Sequence, residues 1–261
     1  MNGSFLRQVV PPLVALGVLL ALWEGVTRVF GIAVWLLPPP SAIALAGAHE
    51  APSLWNAMLT TGRASLIGFG LSAGVGVLIA ILLASSRLLE RALYPYTLFL
   101  QTVPIVAIAP LLVLWFGPGT RAVAISSFIV SLFPVITNTL TGLRSVEPAL
   151  RDLFRLYGAK RLATLWKLEL PAALPQLFTG LRVASGLAVI GAIVGEFVAG
   201  FSEEGAGLGI LVLTAYRQLR TDLLFAAVLA AAVLGLALFG AVNLTGFRLL
   251  KRWHPSASSG P

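Results

Sequence analysis

Six runs of mainly apolar residues, each long enough to cross a bilayer, divide this chain, and that pattern constrains its fold more than any other feature. They fall at about 9–30, 54–85, 94–116, 121–143, 176–201 and 223–249. In hydrocarbon every backbone N–H and C=O must be paired inside the segment, so a span of about 20 apolar residues is read as a helix. Composition agrees: 58% of residues are hydrophobic and only 11% charged, against roughly 25% charged in a soluble domain. The expected fold is all-α and polytopic, one transmembrane domain over residues 1–261 with the lipid bilayer as its solvent. A net charge of +8 in a soluble protein would suggest nucleic acid. Here the charges lie between apolar runs, which gives them a topological role and argues against a nucleic-acid partner.

Lys and Arg are retained on the cytoplasmic side of a membrane. With the N-terminus placed inside, twelve of the 18 basic residues fall in inside segments and four (Arg28, Arg121, Arg217, Arg220) in outside ones; Arg63 and Arg182 lie near or within spans. Both termini are therefore expected in the cytoplasm, and the first run is read as a retained span rather than a cleaved signal. Cysteine is absent, which removes disulfides, thiolate metal sites and a cysteine nucleophile. No metal-ligand cluster is apparent, and His49 and His254 both fall in loops.

Between the fourth and fifth runs lies a polar, basic stretch, 144–175, that cannot enter lipid. Ser145 ahead of Pro148 can open a helix, and Leu150, Leu153, Phe154 and Tyr157 then recur at helical spacing. Gly158 suits that helix's C-terminus. A second short helix holds Leu162, Leu165 and Trp166 and stops before Pro171 and Pro175. Amphipathicity alone fits either a basic helix resting on headgroups or a docking element whose apolar knobs enter a partner's groove.

The spacing is more specific. Asp152-Leu153-Phe154 is followed by three residues, Gly158-Ala159, and after nine residues from the glycine Leu168-Glu169-Leu170-Pro171. This resembles the EAA loop of ABC importer permeases, with Leu153 and Phe154 in place of two alanines and Leu168 in place of an isoleucine. Gln101-Thr-Val-Pro104, Ala109-Pro110, Trp115-Phe116-Gly117, Thr179-Gly180-Leu181-Arg182, Gly195-Glu196-Phe197 and Gly205-Ala206-Gly207-Leu208-Gly209 are similar to the subfamily that imports nitrate, taurine, alkanesulfonates and thiamine-precursor pyrimidines. The resemblance implies a type I importer permease in the bacterial inner membrane: six transmembrane helices and a short coupling-helix pair. It also implies a homodimer, two cytoplasmic ATPase subunits and an extracytoplasmic solute-binding protein. Asp152, Leu153, Phe154, Gly158, Ala159, Leu168, Leu170 and Pro171 would then form the ATPase-coupling element.

The chain has no Gly-x-x-x-x-Gly-Lys-[Ser/Thr] loop and only three lysines, so it is not expected to act as an enzyme or to hold a cofactor. ATP and Mg would be handled by the partner ATPase. Pro104, with Gln101, Asn138 and Glu196, marks a candidate translocation path, because polar groups at membrane depth are costly and more often functional. Glu196 fits equally a residue near the outer surface and in water. Arg182 reads as an interfacial anchor rather than a solute contact, and the segment 203–220 as a gate, a docking surface or a plain surface helix. The rival class is an ion-gradient-driven carrier. It would need acidic relays in mid-span, whereas Glu24 and Glu196 sit near span ends.

Overall fold

Eleven helices and one π turn make up the described part of the chain, residues 3–200 and 205–251 of a computed structural model. Phe201, Glu203, Glu204, Arg252 and His254 lie outside the described residues. Five helices are long and apolar enough to span a membrane: α1 (Gly3–Val29), α3 (Ala51–Ser85), α6 (Thr120–Arg144), α9 (Leu170–Ala199) and α11 (Thr221–Leu250). A sixth span is a broken pair, α4 (Arg87–Thr102) and α5 (Ile105–Phe116), bent by 96°.

That bend divides the third span, expected over 94–116, into two helices at Pro104. Pro104 has no N–H to donate, and its ring pushes Val103 into extended backbone (φ −74°, ψ 123°), so α4 ends there. Pro95, Pro110 and Pro134 all sit inside helices without ending them. The proline run 38–40 does break the chain, but Pro40 then opens a helix the sequence reading did not include, α2 (Pro40–His49).

The loop between α6 and α9 differs in two further respects. Ser145 does not open a helix: its Oγ donates to the Gly142 carbonyl at 2.7 Å and closes α6. Glu147 precedes the loop helix α7 (Pro148–Leu156) instead. After the single turn α8 (Arg161–Thr164), the chain does not stop before Pro171. It widens into a π turn, Leu165–Glu169, and runs on as α9, with Pro171 in the first turn and Pro175 inside. The Leu170 N–H reaches back five residues to Leu165 O. That wider turn moves carbonyls out of the way of the Pro171 ring, so the helix continues where an α turn would clash. Residues 170–175 therefore belong to the fifth span.

The centre of the bundle is α6 packed on α9, with α3 against α6. Two apolar clusters close this core. Leu83, Ile136, Leu140 and Leu143 sit at the loop end, and Leu112, Val123 and Ala192 toward the far end. Buried serines in α6 satisfy themselves: Ser126 Oγ donates to Ala122 O at 3.0 Å and Ser131 Oγ to Ser127 O at 2.7 Å. Such back-bonding lets hydroxyls sit inside a span without an orphaned donor. Helix α1 is peripheral, with most side chains from Val10 to Val29 exposed as expected for a lipid-facing element.

Candidate functional site

Helix α7 presents apolar side chains outward and has no buried residue, and the loop continues that exposed apolar surface at Leu162 of α8 and Trp166 of the π turn. Leu150, Leu153 and Leu156 are exposed, as is Tyr157 just beyond, while Phe154 is half-buried. Asp152 is also exposed and pairs with Arg155 at 3.5 Å. The helix ends as Gly158 predicts. Gly158 takes φ +68°, its N–H donates to Arg155 O at 2.9 Å, and the Ala159 N–H donates to Phe154 O at 2.9 Å. These two bonds form a Schellman stop, in which a left-handed glycine turns the chain out of the helix.

Two arginines fasten the loop to the spans, Arg151 from α7 and Arg161 from α8. Arg151 Nη2 donates to Leu143 O at 2.7 Å, at the end of α6, and Arg161 Nη2 donates to Ala84 O at 3.1 Å, at the end of α3. Both face Glu169 of the π turn, whose Oε1 lies 3.4 Å from Arg151 Nε and 3.7 Å from Arg161 Nη1. The Glu169 side chain is only 3% exposed. A buried carboxyl shared by two guanidiniums ties α7, α8 and the start of α9 into one unit. Sequence reasoning missed this clamp; the available signal was Glu169 standing between Leu168 and Leu170-Pro171.

The expected coupling residues therefore separate into two groups. Asp152, Leu153, Phe154, Gly158 and Ala159 form α7 and its stop. Leu168, Leu170 and Pro171, all half-buried, form the bend into α9, where Leu170 packs on the cluster of Leu83, Ile136 and Leu143. The second group roots the loop in the bundle rather than lining its outer face.

The candidate path residues do not meet at one place. Gln101 lies beside the α4–α5 bend and lines, with Val103, Phe133 and Pro134, a cavity of about 230 Å³. Pro104 opens α5 and is exposed. Asn138 sits one turn beyond Pro134, half-buried, and its Nδ2 donates to Pro134 O at 2.9 Å. Glu196 is at the far end, only 3% exposed, so it is not in water. Its Oε1 accepts from Thr61 Oγ at 2.7 Å and its Oε2 from the Gly209 N–H at 2.7 Å. Thr61 Oγ in turn accepts from the Leu208 N–H at 2.8 Å. The pair caps the start of α10 (Leu208–Arg217), the helix within the 203–220 segment. Arg182 is half-buried in α9, and its Nε has no acceptor among the described residues.

Comparison with known proteins agrees with this architecture. The family of binding-protein-dependent transport system inner membrane components matches residues 74–251. The riboflavin transport system permease protein of Chloroflexus aurantiacus is 36% identical, over 93% of this chain and 90% of its own. The formylaminopyrimidine transport permease protein of Halalkalibacterium halodurans is 34% identical, over 90% and 93%. The taurine transport system permease protein of Escherichia coli is 30% identical, over 95% and 91%. In fold, the crystal structure of an amino acid ABC transporter superposes with a TM-score of 0.62 at 18% identity, covering 78% of this chain and 97% of that one. An integral membrane protein of bent and straight spans, with an anchored loop helix and a family match over most of its length, the chain belongs to the inner-membrane permease subunits of ABC importers.

Proposed function

We propose that this permease works as a homodimer in the bacterial cytoplasmic membrane, driven by two ABC ATPase subunits that dock on α7. Its solute is small, of the sulfonate, taurine, nitrate or pyrimidine-precursor class, and arrives on an extracytoplasmic binding protein. The ATPases bind ATP and Mg; this chain performs no catalysis. Both termini and α7 face the cytoplasm. One observation carries the reading: a helix with an exposed apolar face, held outside the bundle by its own Arg151 on the end of α6 and, through the next turn, by Arg161 on the end of α3. A helix resting on its own protein would bury that face, and a groove on a partner is the surface it fits. Closure of the ATPases would push α7, and the Glu169 clamp would pass the motion to the start of α9.

Gly158→Val tests the docking role. The position has open space around a Cβ, so the cost is left-handed strain, about 1–2 kcal/mol. Strain of that size changes an equilibrium roughly 5- to 30-fold. In proteoliposomes of the complete transporter, ATP-driven uptake should fall by that order while the permease melts only a few degrees below its parent, well above the assay temperature. Unchanged uptake, or uptake by the chain alone under an ion gradient, would remove the coupling assignment.

Sidedness is tested separately. The chain has no cysteine, so Tyr157→Cys and Gln218→Cys are single-thiol proteins. An impermeant maleimide should label Tyr157→Cys in inside-out vesicles and Gln218→Cys in spheroplasts. The reverse pattern would invert the topology.

A further inference from the structure

At the loop end the closing turns of α3 and α6 and the opening turns of α4 border two adjoining clefts. One, of about 260 Å³, is lined by Ser85, Arg87, Arg144, Arg151, Arg155 and Arg161, with Glu169. The other, of about 410 Å³, shares Arg87 and Arg144 and adds Glu90, Arg91, Tyr94 and Pro95. Six arginines thus face two glutamates. The glutamates are taken, Glu90 by Arg144 and Glu169 by Arg151 and Arg161. Arg87 and Arg91 have no partner among the described residues, and Arg144 Nε is buried without an acceptor.

We propose that this paired cleft binds the phosphate of an anionic phospholipid headgroup. Guanidinium forks match phosphate oxygens in pairs, and basic pockets between span ends at the cytoplasmic face suit acidic headgroups. Arg87 is the first residue of α4, at the positive end of that helix's dipole. A cation there opposes the helix, whereas a phosphate is favoured by the arginine and the dipole together. Helix stability therefore does not account for Arg87. A lipid fits better than a free anion because one wall, Tyr94 and Pro95, continues along α4 into exposed Tyr96, Leu98 and Phe99, an apolar track for acyl chains. The level of the cleft, at the ends of three spanning elements, is where headgroups lie. The cytoplasmic placement rests on the topology proposed above, but the cleft itself does not.

The test uses the full-length chain in nanodiscs of mixed phosphatidylglycerol and phosphatidylcholine, with bound lipid counted after mild delipidation. Both leaflets then have one composition, so the outcome is independent of sidedness and of the Gly158→Val result. Phosphatidylglycerol should be enriched. Arg87→Gln with Arg91→Gln should lower the enrichment roughly tenfold or more, since each basic group near a surface is worth about fivefold. Arg87→Lys with Arg91→Lys should keep part of it, and Arg121→Gln with Arg217→Gln, at the other end, all of it. An unchanged melting temperature establishes that the variants fold. Excess inorganic phosphate should leave the lipid in place. Equal enrichment in the Gln pair would overturn the proposal. So would complete displacement by inorganic phosphate, which would assign the cleft to a free anion. Weakened assembly with the cognate ATPase at unchanged lipid binding would also overturn it, by giving these arginines to the ATPase.

Discussion

Gly191→Val is expected to destabilise the whole bundle, lowering the melting temperature of the purified chain by about 2–12 °C for a loss of roughly 1–3 kcal/mol. The reason lies in how α6 meets α9. A Cβ on Gly191 would come 2.9 Å from Ser126 O and 2.9 Å from Ser127 Cα, and these are backbone atoms that cannot swing aside. Gly142 and Gly180 are in the same position, their Cβ atoms 2.9 Å from Ala173 Cα and 2.7 Å from Pro134 O. The two helices therefore touch backbone to backbone along their length. Lipid tails are as apolar as leucine, so nothing but close contact and hydrogen bonding draws helices together in a bilayer. Forcing the axes apart by a methyl group forfeits dispersion contacts on both sides of the seam. Gly235→Ala is the control. It lies inside α11 with nothing within 4 Å of the added carbon, and Gly to Ala in a helix gains about 0.5–1 kcal/mol. Its melting temperature should hold or rise. A Gly191→Val chain melting with the parent would mean that the α6–α9 seam does not carry the fold.

What could be read from the sequence follows from how locally each feature is determined. The spans were legible because hydrocarbon thickness demands a run of apolar residues whatever the neighbours are. The stop at Gly158 was legible for a similar reason: a Schellman turn needs a left-handed residue, and the bonds that close it stay within six residues. Prolines were not legible one by one. Pro104, Pro110, Pro134 and Pro175 look alike in the sequence, yet only Pro104 stands at a break, because the surrounding helices accommodate the others. The Arg151–Glu169–Arg161 clamp depends on the π turn, whose extra residue per turn rotates Glu169 into the bundle. No periodicity in the loop signals that rotation. Helix α2 was missed because its first turn is secured from far away. The Ser41 N–H and Oγ donate to Glu24, 17 residues back in α1, at 3.0 and 2.7 Å. Glu196 was open between two readings because Thr61, which decides between them, is 135 residues distant.

The largest local effect is expected at Glu196. The far end of the bundle uses one device twice: a carboxyl from a spanning helix accepts a backbone N–H at the start of a short helix that does not span. Glu24 does so for α2 and Glu196 for α10. The two differ in water. The Glu24 side chain is 23% exposed and that of Glu196 is buried, so solvent can replace the first carboxyl and not the second. Glu196→Ala leaves the Thr61 hydroxyl and the Gly209 N–H without acceptors in a dry site, at about 1–3 kcal/mol for each unsatisfied group. It also opens a void where Gly207 and Gly209 lie against the carboxyl with no room for a Cβ. Helix α10 should then loosen from α3 and α9, and the amides of Leu208–Arg217 should exchange with solvent on the order of tenfold faster or more. Glu196→Gln keeps the volume and one acceptor but turns an NH2 toward one of the two donors, so its effect should fall between parent and alanine. Glu24→Ala, with water at hand to take over its hydrogen bonds, should leave the amides of α10 exchanging at the parent rate. Amides of α10 that exchange at the parent rate in Glu196→Ala would show that the helix is held by its apolar face, through Leu208, Ile210 and Ala215, and that the carboxyl is incidental to it.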